Sequence, residues 1–352
     1  MHALFGVFFH LIGSVAAGSF YMPYKKVKGW RWESYWITGG FFSWLIAPFI
    51  ALWITFPEFT ALLFSNKTVL CYTIFFGILW GIGGLTYGLG MRFLGLSLGN
   101  SVMLGFSSAF GALFPAIYYN FNPQNGKVSL NDMIASTGGR VILLGIALCL
   151  IGIAISGRAG MMKEKEQRLH RADVPKADNE FSFKKGIIVA ILSGILSSCF
   201  NYGIEAGKPL AEAAVQLGVN PLFQNNITFV LVLWGGFTTN FLWCTYLIFK
   251  NKSYTDFTNN SNPLFKNYIF CAIAGITWFL QFFFYGMGES RLGNGASSWI
   301  LHMSAIILVG NLWGLYLKEW KGVSKKAKNT MIMGVAILLT SVIIVGYGNF
   351  LS

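Results

Sequence analysis

The chain has 352 residues, of which 55% are hydrophobic, 17% aromatic and only 11% charged, with a formal net charge of +13. A chain of this size and apolarity cannot be a soluble protein, and its class is polytopic membrane protein. The five cysteines, Cys71, Cys149, Cys199, Cys244 and Cys271, all fall in apolar stretches without disulfide or metal spacing, and read as small packing residues.

Crossing about 30 Å of hydrocarbon takes roughly 20 apolar residues. Ten such runs, numbered here 1 to 10, lie at about 3–24, 34–56, 69–91, 96–119, 138–157, 186–207, 222–249, 266–288, 296–317 and 329–349. Backbone groups cannot go unpaired in lipid, so each run predicts an α-helix. Run 1 has nothing basic before it and Lys25, Lys26 and Lys28 directly after it, so it reads as a retained span and not as a cleaved signal.

If the loops alternate sides, the side holding loops 1-2, 3-4, 5-6, 7-8 and 9-10 carries 21 of the 26 Lys and Arg residues. That side is predicted to be cytoplasmic, with both termini outside. The positive charge is thus a topology signal, and no nucleic-acid partner is expected.

The longest charged stretch, 158–185, mixes both signs, includes Pro175 and reads as a solvated cytoplasmic linker. It separates two five-helix halves, residues 1–157 and 186–352. Run 3 contains GILWGIGGLTYGLGMRFLG (77–95) and run 8 contains GITWFLQFFFYGMGESRLG (275–293), identical at eight of nineteen positions. Chance in apolar sequence gives about two, so the two halves are read as an internal repeat. Run 1 overlays run 6, with Gly6/Gly186 and Phe20/Phe200 aligned. Run 5 overlays run 10, with Gly145/Gly334, Ala147/Ala336 and Gly157/Gly346 in register.

Five spans per half is an odd number, so the second half must run through the membrane in the opposite sense. Two inverted five-helix repeats are a construction of secondary transporters, with the substrate near the midplane between them. The expected fold is therefore all-α, with ten transmembrane helices. Glycines inside the runs, among them Gly81, Gly83, Gly84, Gly88, Gly90, Gly235 and Gly236, suit close helix packing with or without sliding.

The segments HLIGSVAAGSFYMPYKKVKGWRWE, WFLQFFFYGMGESR, SSWILHMS and LKEW resemble the L-rhamnose/proton symporter family, a branch of the drug/metabolite transporter superfamily. The likeness covers nearly the full length and keeps the segment order. It implies a ten-helix transporter of the bacterial inner membrane that carries L-rhamnose, or a closely related 6-deoxy sugar, inward with protons. It implies no enzyme activity and no cofactor, since the proton gradient supplies the drive. One charge moved through 100 mV yields about 2.3 kcal/mol, enough for roughly fifty-fold accumulation of a neutral sugar. The rival reading is an exporter of metabolites or aromatic compounds on the same fold. The oligomeric state is left open.

Ionisable groups in lipid are expensive and therefore functional candidates. Glu205 and Glu289 are the carboxylates outside loops and loop edges, and His10 and His302 the histidines within runs. His10, His302, Gln281 and Glu205 all fall about 5 to 10 Å from the outer edge, which suggests one polar layer. For proton coupling the chemically competent set is His10, His302 and Glu205, because histidine titrates near neutrality and burial moves a carboxyl toward it. Lys208 lies one turn beyond Glu205. If the two pair, Glu205 is held charged and the histidines are the stronger candidates.

A 6-deoxy sugar offers hydroxyls together with a methyl and C–H face, and its site should combine flat aromatics with a few polar side chains. Trp80 and Trp278 lie near mid-span, away from the interfaces where membrane tryptophans gather. Gln281 and Tyr285 follow Trp278 at one-turn steps on one helix face, and Asn201 and Lys208 complete the expected polar set. Each tryptophan could equally fill a gap between helices, and each histidine could be satisfied by a neighbouring Ser or carbonyl. Trp30, Arg31, Trp32 and Trp320 read as interfacial anchors, while Asn240 and Asn311 fit either interhelical contacts or cavity lining.

Overall fold

The computed structural model describes residues 2–94, 96–123, 128–170, 183–293, 295–316 and 320–351. The described residues are helices joined by short turns, and nine of the helices are long and apolar enough to cross a membrane. Nine of the ten runs form these helices, each numbered after its run. Run 9 is also helical, at Gly295–Tyr316, but its described apolar stretch, Ser298–Gly310, is shorter than a full crossing. Helix 5 runs from Thr137 to His170, so 158–170 of the expected linker is helix. Glu166 there accepts from the Ser324 backbone N–H and hydroxyl, both at 2.6 Å, and Lys163 lies over the Trp320 ring. Residues 183–185 of that linker open helix 6, and 171–182 lie outside the described residues.

The chain divides into two compact units, and each draws on both halves of the sequence. One comprises His2–Ile82 and Cys199–Gly293. The other comprises Gly83–Ser198 and Asn294–Ser352, with Met1.

In the first unit, helix 1 (His2–Ser19) lies along helix 8 (Leu264–Leu292), with Gly6 against Leu292 and Gly288 against the His10 ring. Helix 2 is built in three pieces: an α segment Trp32–Gly40, a π turn Phe41–Ile46, and a second α segment Ala47–Thr55. The π turn has a local cause. Pro48 has no N–H and its ring crowds the carbonyl four residues back, so an α ladder cannot pass through it undisturbed. The backbone widens there, and the Ala47 N–H reaches back five residues to the Phe42 carbonyl.

Two glycines of the repeat pack directly on the main chain of a neighbouring helix. Gly77 of helix 3 (Lys67–Leu94) sits on the Val232 carbonyl and Gly235 of helix 7 (Asn226–Asn251). Its counterpart Gly275 of helix 8 sits on the Gly39 carbonyl and Phe42 of helix 2. A greasy layer of Leu52, Phe59, Leu63, Leu210, Ile227 and Leu231 fills one part of this unit. At the other, Trp30 is buried against Phe257 and Tyr268 instead of standing at an interface, because the Ser253–Phe257 turn folds over it. Asn240 accepts from the Trp36 indole N–H at 3.0 Å and donates to the Gly236 carbonyl, so its role is interhelical. The Asn311 side chain lies outside the described residues.

In the second unit, helix 5 packs along helix 10 (Lys325–Leu351). Here Gly145, Gly152 and Gly334 admit Val345, Leu338 and Ser156. Helix 4 (Leu96–Phe121) meets helix 9, where Gly111 makes room for the Trp299 indole and the Ser107 carbonyl accepts its N–H at 2.9 Å.

Equivalent residues of the repeat also keep equivalent company. Phe20 is 6.3 Å from Trp278, and its counterpart Phe200 is 5.1 Å from Trp80. His10 abuts Gly288 in the first unit. In the second, Ala190, which occupies the place of His10, lies 3.6 Å from the position of a Cβ on Gly90, the counterpart of Gly288.

Candidate transport site

The site candidates concentrate in the first unit. Trp80 and Trp278, the paired tryptophans of the repeat, lie 5.6 Å apart at an interplanar angle of 32°. Trp44 stands edge-on to both, at 5.8 Å from Trp278 and 6.5 Å from Trp80. Phe282 closes the group against Trp278 at 4.7 Å and stacks on Phe200 at 4.1 Å.

Beside this cluster is a hollow lined by Phe20, Gly40, Ser43, Trp44, Gly275 and Trp278, among others. It has about 10 Å³ of accessible space, room for one water molecule. The π turn presents two consecutive residues to it, Ser43 and Trp44. Both side chains are more than nine-tenths buried, and neither Ser43 Oγ nor Trp44 Nε1 has a hydrogen-bond partner among the described residues. Helical Ser and Thr usually bond back to the preceding turn, as Thr38 does to Ser34 and Thr55 to Ala51 within the same helix, both at 2.7 Å. A buried polar group left unpaired costs about 1–3 kcal/mol, and two side by side require a reason.

From the hollow, one face of helix 8 carries Trp278, Gln281, Tyr285 and Glu289 at steps of three and four residues. Gln281 is 6% exposed. The Tyr285 hydroxyl donates to Asn201 Oδ1 at 3.3 Å, and its ring stands edge-on to His10 at 5.3 Å. Glu289 is buried, accepts from Asn225 Nδ2 at 2.6 Å, and lies 3.9 Å from Lys208 Nζ. Lys208 pairs more closely with Glu205, at 2.9 Å. Helix 6 (Phe183–Gln216) continues through Pro209, which has no backbone N–H to offer one turn back, just where this pair sits.

Of the residues expected from the sequence, Trp80, Trp278, Gln281, Tyr285, Asn201, Lys208, Glu205 and His10 all belong to this unit. Trp278 lines the hollow, and Gln281 follows one turn along. His302 is buried on helix 9 in the other unit. Sequence reasoning passed over Trp44, Ser43 and Asn225, and singled out Glu289 as a carboxylate within a run without giving it a role. Trp44 is a mid-span tryptophan like the other two, and Glu289 continues the spacing of Gln281 and Tyr285.

A model of the L-rhamnose-proton symport protein (RhaT) family matches residues 2–350. The chain is similar to the L-rhamnose-proton symporters of Cronobacter sakazakii, 36% identical over 349 residues, and Citrobacter koseri, 37% identical over 349 residues. That of Escherichia coli O17:K52:H18 is likewise 37% identical over 349 residues. In all three comparisons 97% of each chain is covered. With a match of this extent to the family and its curated members, the chain belongs to the L-rhamnose-proton symport protein (RhaT) family.

Proposed function

We propose that this protein imports L-rhamnose, or a closely related 6-deoxy sugar, together with protons across the bacterial inner membrane. The observation that carries the proposal is the similarity to named L-rhamnose-proton symporters over 97% of both chains. Its fold belongs with the drug/metabolite transporters, as two inverted five-helix repeats that exchange conformations, with both termini outside and the charged linker inside. The equivalent contacts of Phe20 and Phe200, of Gly77 and Gly275, and of His10 and Ala190 support that repeat.

The sugar's C–H and methyl face suits the Trp80–Trp278–Trp44 cluster, and the Gln281 amide, which can both donate and accept, suits the hydroxyls. The space beside Trp278 is smaller than a hexose, so binding requires aromatic side chains to part. Proton coupling falls to His10, His302 and Glu205. The 2.9 Å pairing of Glu205 with Lys208 favours the histidines. No cofactor takes part.

The test is competition against uptake of labelled L-rhamnose by proteoliposomes under an imposed proton gradient. Excess L-rhamnose and its 6-deoxy relatives are expected to compete strongly, and sugars with a 6-hydroxyl weakly. Equal competition by every hexose would refute the deoxy-sugar assignment.

A further inference from the structure

We infer that the π turn of helix 2 is a hydroxyl-binding element of the sugar site, with Ser43 Oγ and Trp44 Nε1 as its two polar contacts. The inference rests on the import reading and adds to it two hydrogen-bonding atoms, Ser43 Oγ and the Trp44 N–H, beyond the ring face of Trp44 already assigned to stacking.

The first ground is the contrast with neighbouring groups. The Trp36 indole N–H is spent on Asn240, and the Thr38 and Thr55 hydroxyls on their own helix. Ser43 and Trp44 alone in this stretch hold buried polar atoms without a described partner. The second ground is where the backbone puts them. The π turn ahead of Pro48 presents both residues, consecutive in sequence, to one hollow. Such π turns are frequent at functional sites. The third is the company they keep. Glycines line the hollow on both sides, Gly40 under the Trp44 ring and Gly275 on helix 8, and its remaining wall includes Trp278 and Phe20. Flat rings beside two uncommitted polar atoms match a sugar, which needs stacking for its C–H face and partners for its hydroxyls.

Both atoms are covered in this structure. When the rings part, the Trp44 N–H can donate to one sugar hydroxyl. Ser43, which both donates and accepts, can exchange a hydrogen bond with another. The sugar would thereby relieve two groups that the closed hollow leaves unpaired.

The test pairs binding with ligand-free stability in the purified full-length protein, using Ser43→Ala and Trp44→Phe. A residue that only holds the fold together loses stability when truncated. Removing an unpartnered hydroxyl does not, and can raise stability. The expected result is that Ser43→Ala melts at or above the wild-type temperature without sugar, yet binds L-rhamnose about five- to tenfold more weakly. Trp44→Phe keeps a ring in place but loses the donor, and should bind more weakly by a similar factor. Wild-type affinity in both variants, with wild type itself binding L-rhamnose, overturns the inference and leaves the import reading standing. Wild type that binds no 6-deoxyhexose overturns both.

Discussion

Gly275→Ala and Gly77→Ala are each expected to destabilise the protein by about 3 kcal/mol or more, the upper range for overpacking a close contact. A Cβ on Gly275 would fall inside the contact radius of the Gly39 carbonyl and 3.0 Å from Phe42 Cβ. A Cβ on Gly77 would do the same to the Val232 carbonyl, with the Gly235 Cα 3.1 Å away. Main chain cannot rotate aside as a side chain can, so helix 8 would have to leave helix 2, and helix 3 leave helix 7. In a bilayer, where apolar surface alone does not hold helices together, close backbone approach of this kind supplies much of the attraction. Gly84→Ala is the control, because nothing lies within 4 Å of its Cβ position. Thermal unfolding in detergent should therefore separate the two repeat glycines from Gly84. Wild-type melting of Gly275→Ala would show that the helix 2–helix 8 contact is looser than described.

Trp278→Ala is expected to weaken L-rhamnose binding at least about thirty-fold, the equivalent of about 2 kcal/mol for losing a central aromatic anchor. Its indole lines the hollow and touches both halves of the aromatic cluster, with Trp44 at 5.8 Å, Trp80 at 5.6 Å and Phe282 at 4.7 Å. Trp278→Phe should recover part of the loss, since a smaller ring still offers a flat face. Gln281→Ala should weaken binding less, as one amide carries fewer contacts than an indole. Isothermal titration with the purified variants measures all three. Near-normal affinity in both Trp278→Ala and Gln281→Ala would mean that the sugar binds elsewhere.

The helices were legible because lipid leaves the chain few choices: a long apolar run must be helical. The repeat was legible because Gly77/Gly275 and Trp80/Trp278 stand at fixed spacing, and both pairs prove to be contact residues. What escaped depends on contacts distant in sequence or on departures from 3.6 residues per turn. Trp44 was passed over because helical periodicity does not announce a π turn, although Pro48 was a visible cause of one. Glu289 looked like a charge at a helix end, and its burial comes from Asn225 and Lys208, residues 64 and more positions away. Trp30 looked interfacial because the Ser253–Phe257 turn that covers it lies far along the chain. The charged stretch after run 5 read as linker, yet its first part is helix, anchored by Glu166 to Ser324. Charge alternation such as KEKEQR is as compatible with a solvated helix as with a loop.

Sugar and proton are expected to cross together in one coupled step. The most direct test is the current evoked when L-rhamnose is added to proteoliposomes on a solid-supported membrane, with no other ion gradient present. An inward positive current is expected that saturates with L-rhamnose, is abolished by a protonophore, and is absent in vesicles without the protein. Labelled L-rhamnose entering the same vesicles with no accompanying current or internal acidification would contradict this coupling.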